Sequence, residues 1–478
     1  MTSPDPELGS TANNQEPITW NGPDDPSNPQ NWTYRQKWTA TLIVSGFGLV
    51  SPISSSMVSP AVDAIAHEFG TTSTIASEMI LSIFVLAWGL GPLLLGPLSE
   101  MYGRVWVLQL GNLMYLIFNI AGGFSQSTAQ MIVFRFLSGF GGSGPLVLGD
   151  GALADIWPAE QRGSAVAIYS LAPLFGPAIG PIAGGFITQY TTWRWTFYSM
   201  SIVSGVVGIL GIFLKETYAP YLLKRKAQNL RKRTGNQSLY AQVEHTQPSI
   251  TQLWKTSIAR PFLLLGTQII IQALGIYMAF LYGLMYLMLA SFPSLWQDVY
   301  GESISIASLN YISIGVGLLL GTQLGARLND RIYQTLNHRT NTNLPEHRIP
   351  LLLPASLLVS TGMFWYGWSA NPHVPWIVPN LGIALTSIGI IIAFQCIQLY
   401  IIDTYPLYTA SVMSATAILR SLAGFAFPLF ANDMYNHLGY GWGNSVLGFL
   451  AIFVGVLAPV LLWRGGAGLR RRSPYGRY

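Results

Sequence analysis

Apolar residues in this chain run in stretches of about 20, rather than in the alternating or one-faced patterns of a soluble fold. The windows fall near 38–60, 74–95, 106–125, 131–151, 164–187 and 195–214, then near 262–290, 305–326, 349–369, 376–401, 409–431 and 443–463. Each is long enough to cross a hydrocarbon core as a helix, the structure that satisfies its own backbone where water is absent. Two groups of six such windows predict an all-α membrane protein, with twelve transmembrane helices in two pseudo-symmetric six-helix bundles, 38–214 and 262–463. The arm 1–37 is polar and reads as disordered; a basic central loop, 215–261, joins the bundles, and a basic tail, 464–478, follows them.

Composition sharpens this picture. Half of the residues are hydrophobic and 9% are charged, against roughly 25% charged in an ordinary soluble domain. The net charge of +5 does not point to nucleic acid, because the basic residues lie in connecting segments and not on one polar face. With the N-terminus placed in the cytoplasm, all but three of the 25 Lys and Arg residues fall on cytoplasmic segments; the exceptions are Arg135, Arg194 and Arg420. By the positive-inside rule both termini and the central loop face the cytoplasm. The polar opening 35 residues show no cleavable signal peptide. The single cysteine, Cys396, lies in an apolar run and reads as packing.

The fifth window holds the most unusual stretch, Ala172 to Gly185, with prolines at 173, 177 and 181. Its small residues Ala172, Gly176, Gly180 and Gly184 recur every fourth position and so line one helix face. A face without side chains lets another backbone come close, as in membrane helix packing generally. Two six-helix halves joined by a long loop outline a secondary transporter built from repeats. An internal echo supports this: Gly96-Pro97-Leu98-Ser99-Glu100-Met101-Tyr102-Gly103-Arg104 follows the second window, and Gly325-Ala326-Arg327-Leu328-Asn329-Asp330-Arg331 follows the eighth.

Charges inside spans cost a few kcal/mol each and need a partner or a wet cavity. Arg135, Asp150, Glu78 and Arg420 are such charges. They read either as proton-titrating or substrate-facing groups, or as structural groups that fix helix contacts. Asp155, at the end of the fourth window, reads as a structural helix-end group beside Arg162. In the short loop after the second window, Gly103 permits a tight turn, and Glu100 and Arg104 can bond a helix end or an acid on a neighbouring span. The substrate-cavity candidates are Asn112, Gln268, Gln272, Tyr277, Tyr282, Tyr286, Gln395 and Gln398. Trp193-Arg194-Trp195 reads as an interfacial anchor. No histidine spacing suits a metal, no phosphate-binding G-x-x-x-x-G-K-[ST] loop is present, and no catalytic constellation is visible, so neither an enzyme nor a cofactor is expected.

These motifs resemble the major facilitator superfamily, and within it the twelve-span drug/proton antiporter family of fungi. Gly96, Ser99, Glu100, Gly103 and Arg104 fit its loop signature after span 2, which implies gating. Arg135 with Gly139 and Gly141 fits its span 4 signature, which implies proton coupling. Gly176, Pro177, Gly180, Pro181, Gly184 and Gly185 fit its span 5 antiporter signature. Asp25 to Trp32, Glu216-Thr217-Tyr218 and Pro345-Glu346-His347-Arg348-Ile349-Pro350 match as well. The chain departs from the pattern at Lys215, where proline is usual, and at Asp150, inside a run that is commonly all glycine.

The resemblance implies a proton-coupled exporter of a drug, toxin or secondary metabolite. Its expected partners are a small-molecule substrate, protons and the lipid bilayer, and it is expected to be a monomer in the plasma membrane, with the vacuolar membrane as the other choice. Arg135, Asp150 and Glu78 would serve proton coupling, and the span 5 face would seal the two halves. An uptake permease and a non-transporting receptor are the alternatives.

Overall fold

The computed structural model describes residues 17–158, 161–235, 239–241, 255–371 and 373–475. Among these, nine helices are long and apolar enough to cross a membrane. A tenth span is the pair Thr74–Leu90 and Pro92–Tyr102, bent by 41° at Gly91. The proline there begins a new helix without needing a donor. The sixth span, Arg194–Gly211, opens on an arginine that dilutes its apolar content.

The remaining division lies inside the helix Pro428–Arg472. Gly439 has φ 69° and ψ 169°, a left-handed conformation that a side chain would strain. Residues 428–438 therefore complete span 11 after Thr409–Ala426, and 440–472 form span 12. The other spans are span 1 (Tyr34–Met57), span 3 (Arg104–Gly123), span 4 (Thr128–Gly142 and Gly144–Ile156) and span 5 (Arg162–Tyr190). In the second half they are span 7 (Arg260–Thr267 and Ile269–Ser294), span 8 (Ile312–Thr340), span 9 (Leu352–Ser369) and span 10 (Ile377–Thr404). Polar residues start these helices, as in the first half at spans 2 and 4: Ser73 and Ser127 accept from the backbone N–H groups of Ala76 and Gln130 at 3.4 and 3.3 Å.

The spans place the N-terminal arm, the central segment and residues 464–475 at one end of the bundle, called here the basic end. The opposite end is the far end. The arm is not disordered throughout, as the sequence led us to expect. Pro17–Ile18 pairs in parallel with Tyr240–Ala241, and Ile18, Leu223, Ala227 and Ala241 bury one another against the helix Ala219–Thr234. Asp25 fastens the fold: its carboxylate accepts from the N–H groups of Asn21 and Ser27 at 2.8 and 2.9 Å, and Lys226 stands 3.6 Å away. Those two backbone donors, with smaller help from Lys226, hold its pKa down at about 2. Residues 1–16 and 242–254, parts of the expected arm and loop, lie outside the described residues.

Candidate functional site

Span 5 has two working faces. On one, Gly176, Gly180 and Gly184 lie against span 1. A Cβ on Gly180 would meet the Ile53 carbonyl oxygen at 2.6 Å, and one on Gly184 the Met57 carbonyl carbon at 3.0 Å. Ser56 Oγ donates to the Gly176 carbonyl at 2.9 Å across this seam. The small-residue face therefore joins two helices of the same half, and does not seal one half against the other as the sequence suggested. The second face, turned by the odd spacing of Ala178, Gly185 and Gln189, meets the second half. Gly315 approaches Ala178, and a Cβ on Gly185 would lie 3.1 Å from the Ile304 carbonyl oxygen. Gln189 Oε1 accepts from the Ser305 N–H at 2.7 Å.

Further bonds join the halves at the far end. Ser59 Oγ donates to the Leu289 carbonyl at 2.6 Å and meets Tyr311 OH at 2.9 Å, while Ser55 Oγ meets Tyr286 OH at 3.1 Å. Asn432 Nδ2 of span 11 donates to Glu78 Oε1 of span 2 at 2.7 Å. Nearby, Glu68 ties Arg194 at 2.7 Å and accepts from Trp193 Nε1 at 2.6 Å, and these donors hold its carboxyl below the usual range. Trp193 is thus a bonded brace as well as an interfacial residue.

Arg135 is 1% exposed and meets no carboxylate among the described residues. Its guanidinium donates to the carbonyls of Ile80, Ser54, Ser55 and Leu81 at 3.0, 3.1, 3.2 and 3.4 Å, and stands over the Phe84 ring at 4.6 Å. It clamps spans 1 and 2 onto span 4. Asp150 lies 15 residues further along the same span, about 22 Å at helical rise. The two do not meet. Asp150 is exposed and has neither a hydrogen bond nor an ion pair among the described residues.

Between the halves at mid-depth, Arg420 of span 11 stands 4.9 Å over the Tyr282 ring of span 7. Tyr282 in turn packs on Tyr286 and Phe394, with ring centroids at 4.9 and 6.2 Å. Three polar atoms here are buried without a partner among the described residues: Arg420 Nε, Ser421 Oγ and Trp88 Nε1. Buried orphans are uncommon enough that each calls for a reason, and a bound solute is one. Phe394 and Trp88 were not singled out from the sequence, because an aromatic residue in an apolar span carries no contrast.

The other cavity candidates sit elsewhere. Asn112 bonds the Ser204 carbonyl at 3.2 Å and its hydroxyl at 2.9 Å, filling the seam between spans 3 and 6. Gln268 and Gln272 patch the break in span 7, donating to Thr267 Oγ1 at 3.1 Å and to the Leu265 carbonyl at 2.6 Å. Gln395 bridges spans 10 and 8 through the Thr322 carbonyl at 3.3 Å. Tyr277 bonds Ser356 at 3.0 Å towards span 9.

At the basic end Arg104 carries the network. Its Nε lies 2.5 Å from Asp155 Oδ2, and its own N–H and that of Val105 donate to Glu216 at 3.0 and 3.2 Å. Glu216 thereby caps span 3, where a helix N-terminus favours an anion. Gly103, at φ 94°, makes room for that carboxylate: a Cβ would overlap it. Asp155 is the partner of Arg104, not of Arg162, which instead donates to the Ala154 and Trp157 carbonyls at 3.3 and 3.2 Å. Ser99 Oγ bonds within its own helix, to the Gly96 carbonyl at 2.7 Å, and Glu100 forms no ion pair among the described residues. The second half repeats the arrangement. Arg348, before span 9, lies 3.2 Å from Asp403 at the end of span 10 and 2.9 Å from Asp330.

Residues 44–428 match the family described as Major Facilitator Superfamily. The chain belongs to the major facilitator superfamily. It is 46% identical to "Efflux pump vrtL" of Penicillium aethiopicum over 98% of this chain and 96% of that one. It is 42% identical to "MFS-type transporter oryF" of Aspergillus oryzae, covering 93% and 92%. Among solved structures, a partially occluded inward-open form of the xylose transporter XylE from E. coli superposes with a TM-score of 0.65, at 19% identity, over 90% of this chain and 98% of that one. That likeness shows the fold. The chain is accordingly a multi-pass membrane transporter for a small-molecule substrate, and not an enzyme.

Proposed function

We propose that this transporter exports a small, largely apolar organic compound in exchange for protons, by alternating access. The observation that carries the reading is the mid-depth cluster between the halves. Tyr282, Tyr286 and Phe394 offer aromatic faces, while Arg420, Ser421 and Trp88 offer a few polar atoms without partners among the described residues. That chemistry suits a drug, toxin or secondary metabolite with an aromatic body and one or two polar groups. The export direction is supported by relatives printed as efflux pumps, at 46% and 41% identity. The basic end is the cytoplasmic one under this reading, and the membrane is the plasma membrane. Arg104, Gly103 and Glu100 sit at the cytoplasmic gate, with Asp155 and Glu216 as the partners that Arg104 leaves and regains. Asp150 and Glu78 exchange protons near the two mouths, and Arg135 fixes the charge between them.

The test is transport into proteoliposomes with the basic end outward and an acidic lumen. A panel of planar aromatic compounds, rhodamine 6G among them, is offered outside. Accumulation that collapses with a protonophore supports proton-coupled export. Accumulation only when the lumen is alkaline identifies a symporter and overturns the reading.

A further inference from the structure

One cavity between the halves lies apart from the mid-depth cluster. It is small, about 10 Å³, on the scale of a single water. It opens near the far end between span 1, span 2, span 7 and span 11, and its polar lining is Ser59, Asp63, Glu78, Ser294 and Asn432. Glu78 is 4% exposed. One of its oxygens accepts from Asn432, and the other has no partner among the described residues while lining this cavity. Asp63, on the short helix Val62–Glu68, is exposed and links the cavity to the far-end surface.

The neighbours of Glu78 on every packed element leave it without a countercharge. Asp63 and, beyond it, Asp298 at the end of span 7 are acids. Tyr311 of span 8 is bound to Ser59 and to the Leu289 carbonyl at 2.9 and 2.8 Å. Arg135 of span 4 is spent on the Ile80 and Leu81 carbonyls and on span 1. Span 11 offers the neutral Asn432, beside the exposed Asp433; its His437 turns to the Asp433 carbonyl at 2.7 Å, and its Arg420 lies 12 residues earlier, over the Tyr282 ring. Burying an ionised carboxyl with no cation against it is costly, and one amide hydrogen bond does not offset the loss of water.

We propose that Glu78 is the proton site of the far-end gate: the halves close over it as the neutral acid and part again once it is ionised. The inference rests on the proton-coupled reading above and assigns the far-end step of that coupling to Glu78. With the far end open, Glu78 is hydrated and takes a proton from water through Asp63, a hydronium ion becoming water as the carboxylate becomes the acid. Closure then brings Asn432 Nδ2 onto Oε1 and shuts the cavity. Uptake of a proton from the far side thus permits the return to the form open at the basic end, where water entering between the halves takes the proton up as hydronium and leaves Glu78 ionised for the next opening of the far end.

The experiment measures a distance across the gate. Labels are placed at Thr72→Cys and Asn436→Cys, both exposed at the far end, while the native Cys396 is buried. In nanodiscs, the population with the shorter distance should rise several-fold as the pH falls from 8 to 5. Glu78→Gln, which mimics the neutral acid, should stay short at both pH values. Asn432→Ala should lower the short population at every pH while keeping its rise on acidification. The proposal is overturned if the wild-type distance ignores pH, if Glu78→Gln keeps the wild-type response, or if Asn432→Ala matches the wild type. Flux separates the two levels. Wild-type transport indifferent to a pH gradient sinks the coupling reading itself, whereas coupling retained in full by Glu78→Gln sinks only the gate.

Discussion

Adjacent glycines in span 5 serve different seams, so the same substitution at each should fail in different ways. At Gly184 an added Cβ runs into the Met57 carbonyl, with the carbonyl carbon at 3.0 Å. The obstacle is backbone of span 1, which cannot turn aside. Overpacking of this kind costs about 1–3 kcal/mol, and a rigid obstacle places Gly184→Ala near the upper end, about 3 kcal/mol of folding stability. At Gly185 the nearest obstacle is the Ser308 hydroxyl, which belongs to the other half. That hydroxyl can rotate away from the Ile304 carbonyl it bonds at 2.7 Å, but the Ser308 Cβ at 2.5 Å and the Ile304 carbonyl oxygen at 3.1 Å cannot turn aside, so the closed seam bears overpacking of about 1–3 kcal/mol. Because the strain exists only while the far end is closed, it shifts the open–closed equilibrium towards open, about fivefold for each kcal/mol, and leaves each half's own packing intact. Thermal denaturation in detergent reads the first effect, and the Thr72–Asn436 label distance reads the second. Gly184→Ala should lower the apparent Tm with an unshifted distance; Gly185→Ala should shift the distance with little change in Tm. If both lower Tm alike and neither moves the distance, the assignment of the two faces is wrong.

Two further outcomes follow from the basic end. Arg104→Gln and Asp155→Asn each remove one member of a pair whose side chains are 18% exposed. A double-mutant cycle on thermal stability should return about 1–2 kcal/mol of coupling, between the surface and buried limits, and near-zero coupling would refute the pair as a stabilising contact. Asp25 should hold the arm across the physiological range. Its pKa is depressed to about 2, so its contribution is fully present above the ordinary carboxylate range and is lost as the pH falls through about 2. Limited proteolysis should therefore cut the arm of Asp25→Ala faster than the wild type at pH 7 and at pH 5 alike, and equal rates would deny the anchor.

The spans were legible because lipid imposes one rule on every crossing helix, and the apolar windows record it directly. Their ends were less so. Span 8 continues to Thr340, well past its apolar window at 326, because a helix does not stop where hydrocarbon does. Polar residues in apolar windows stood out, yet prominence alone did not say what they face. Asn112 and Gln395 look alike in sequence to Arg420, and each is answered by a neighbouring helix. Pairings across the chain were the hardest to read. Nothing local to Arg104 names Asp155, 51 residues away, or Glu216, 112 residues away. Glu78 was marked by its charge, whereas Asn432 was not marked at all, since its importance is created by the 354 residues that the fold closes between them.

The placement of charge gives Arg135 a different task from the acids with which the sequence grouped it. A group that carries protons across must reach water on one side and then on the other. Arg135 is 1% exposed and held by four carbonyls from two neighbouring spans. To exchange its proton it would abandon all four, each a charge-assisted bond of about 1.5–3 kcal/mol. A guanidinium in that setting is a fixed positive charge and a mechanical clamp. Glu78 and Asp150 stand on either side of it along the membrane normal, one beneath the far-end gate and one on the basic-end half of span 4. Under the proton-coupled reading proposed above, a fixed cation between these two carboxyls would repel a proton passing straight through the half. Protons would then cross only as the gates move, the condition under which their downhill flow could be exchanged for a substrate rather than leak.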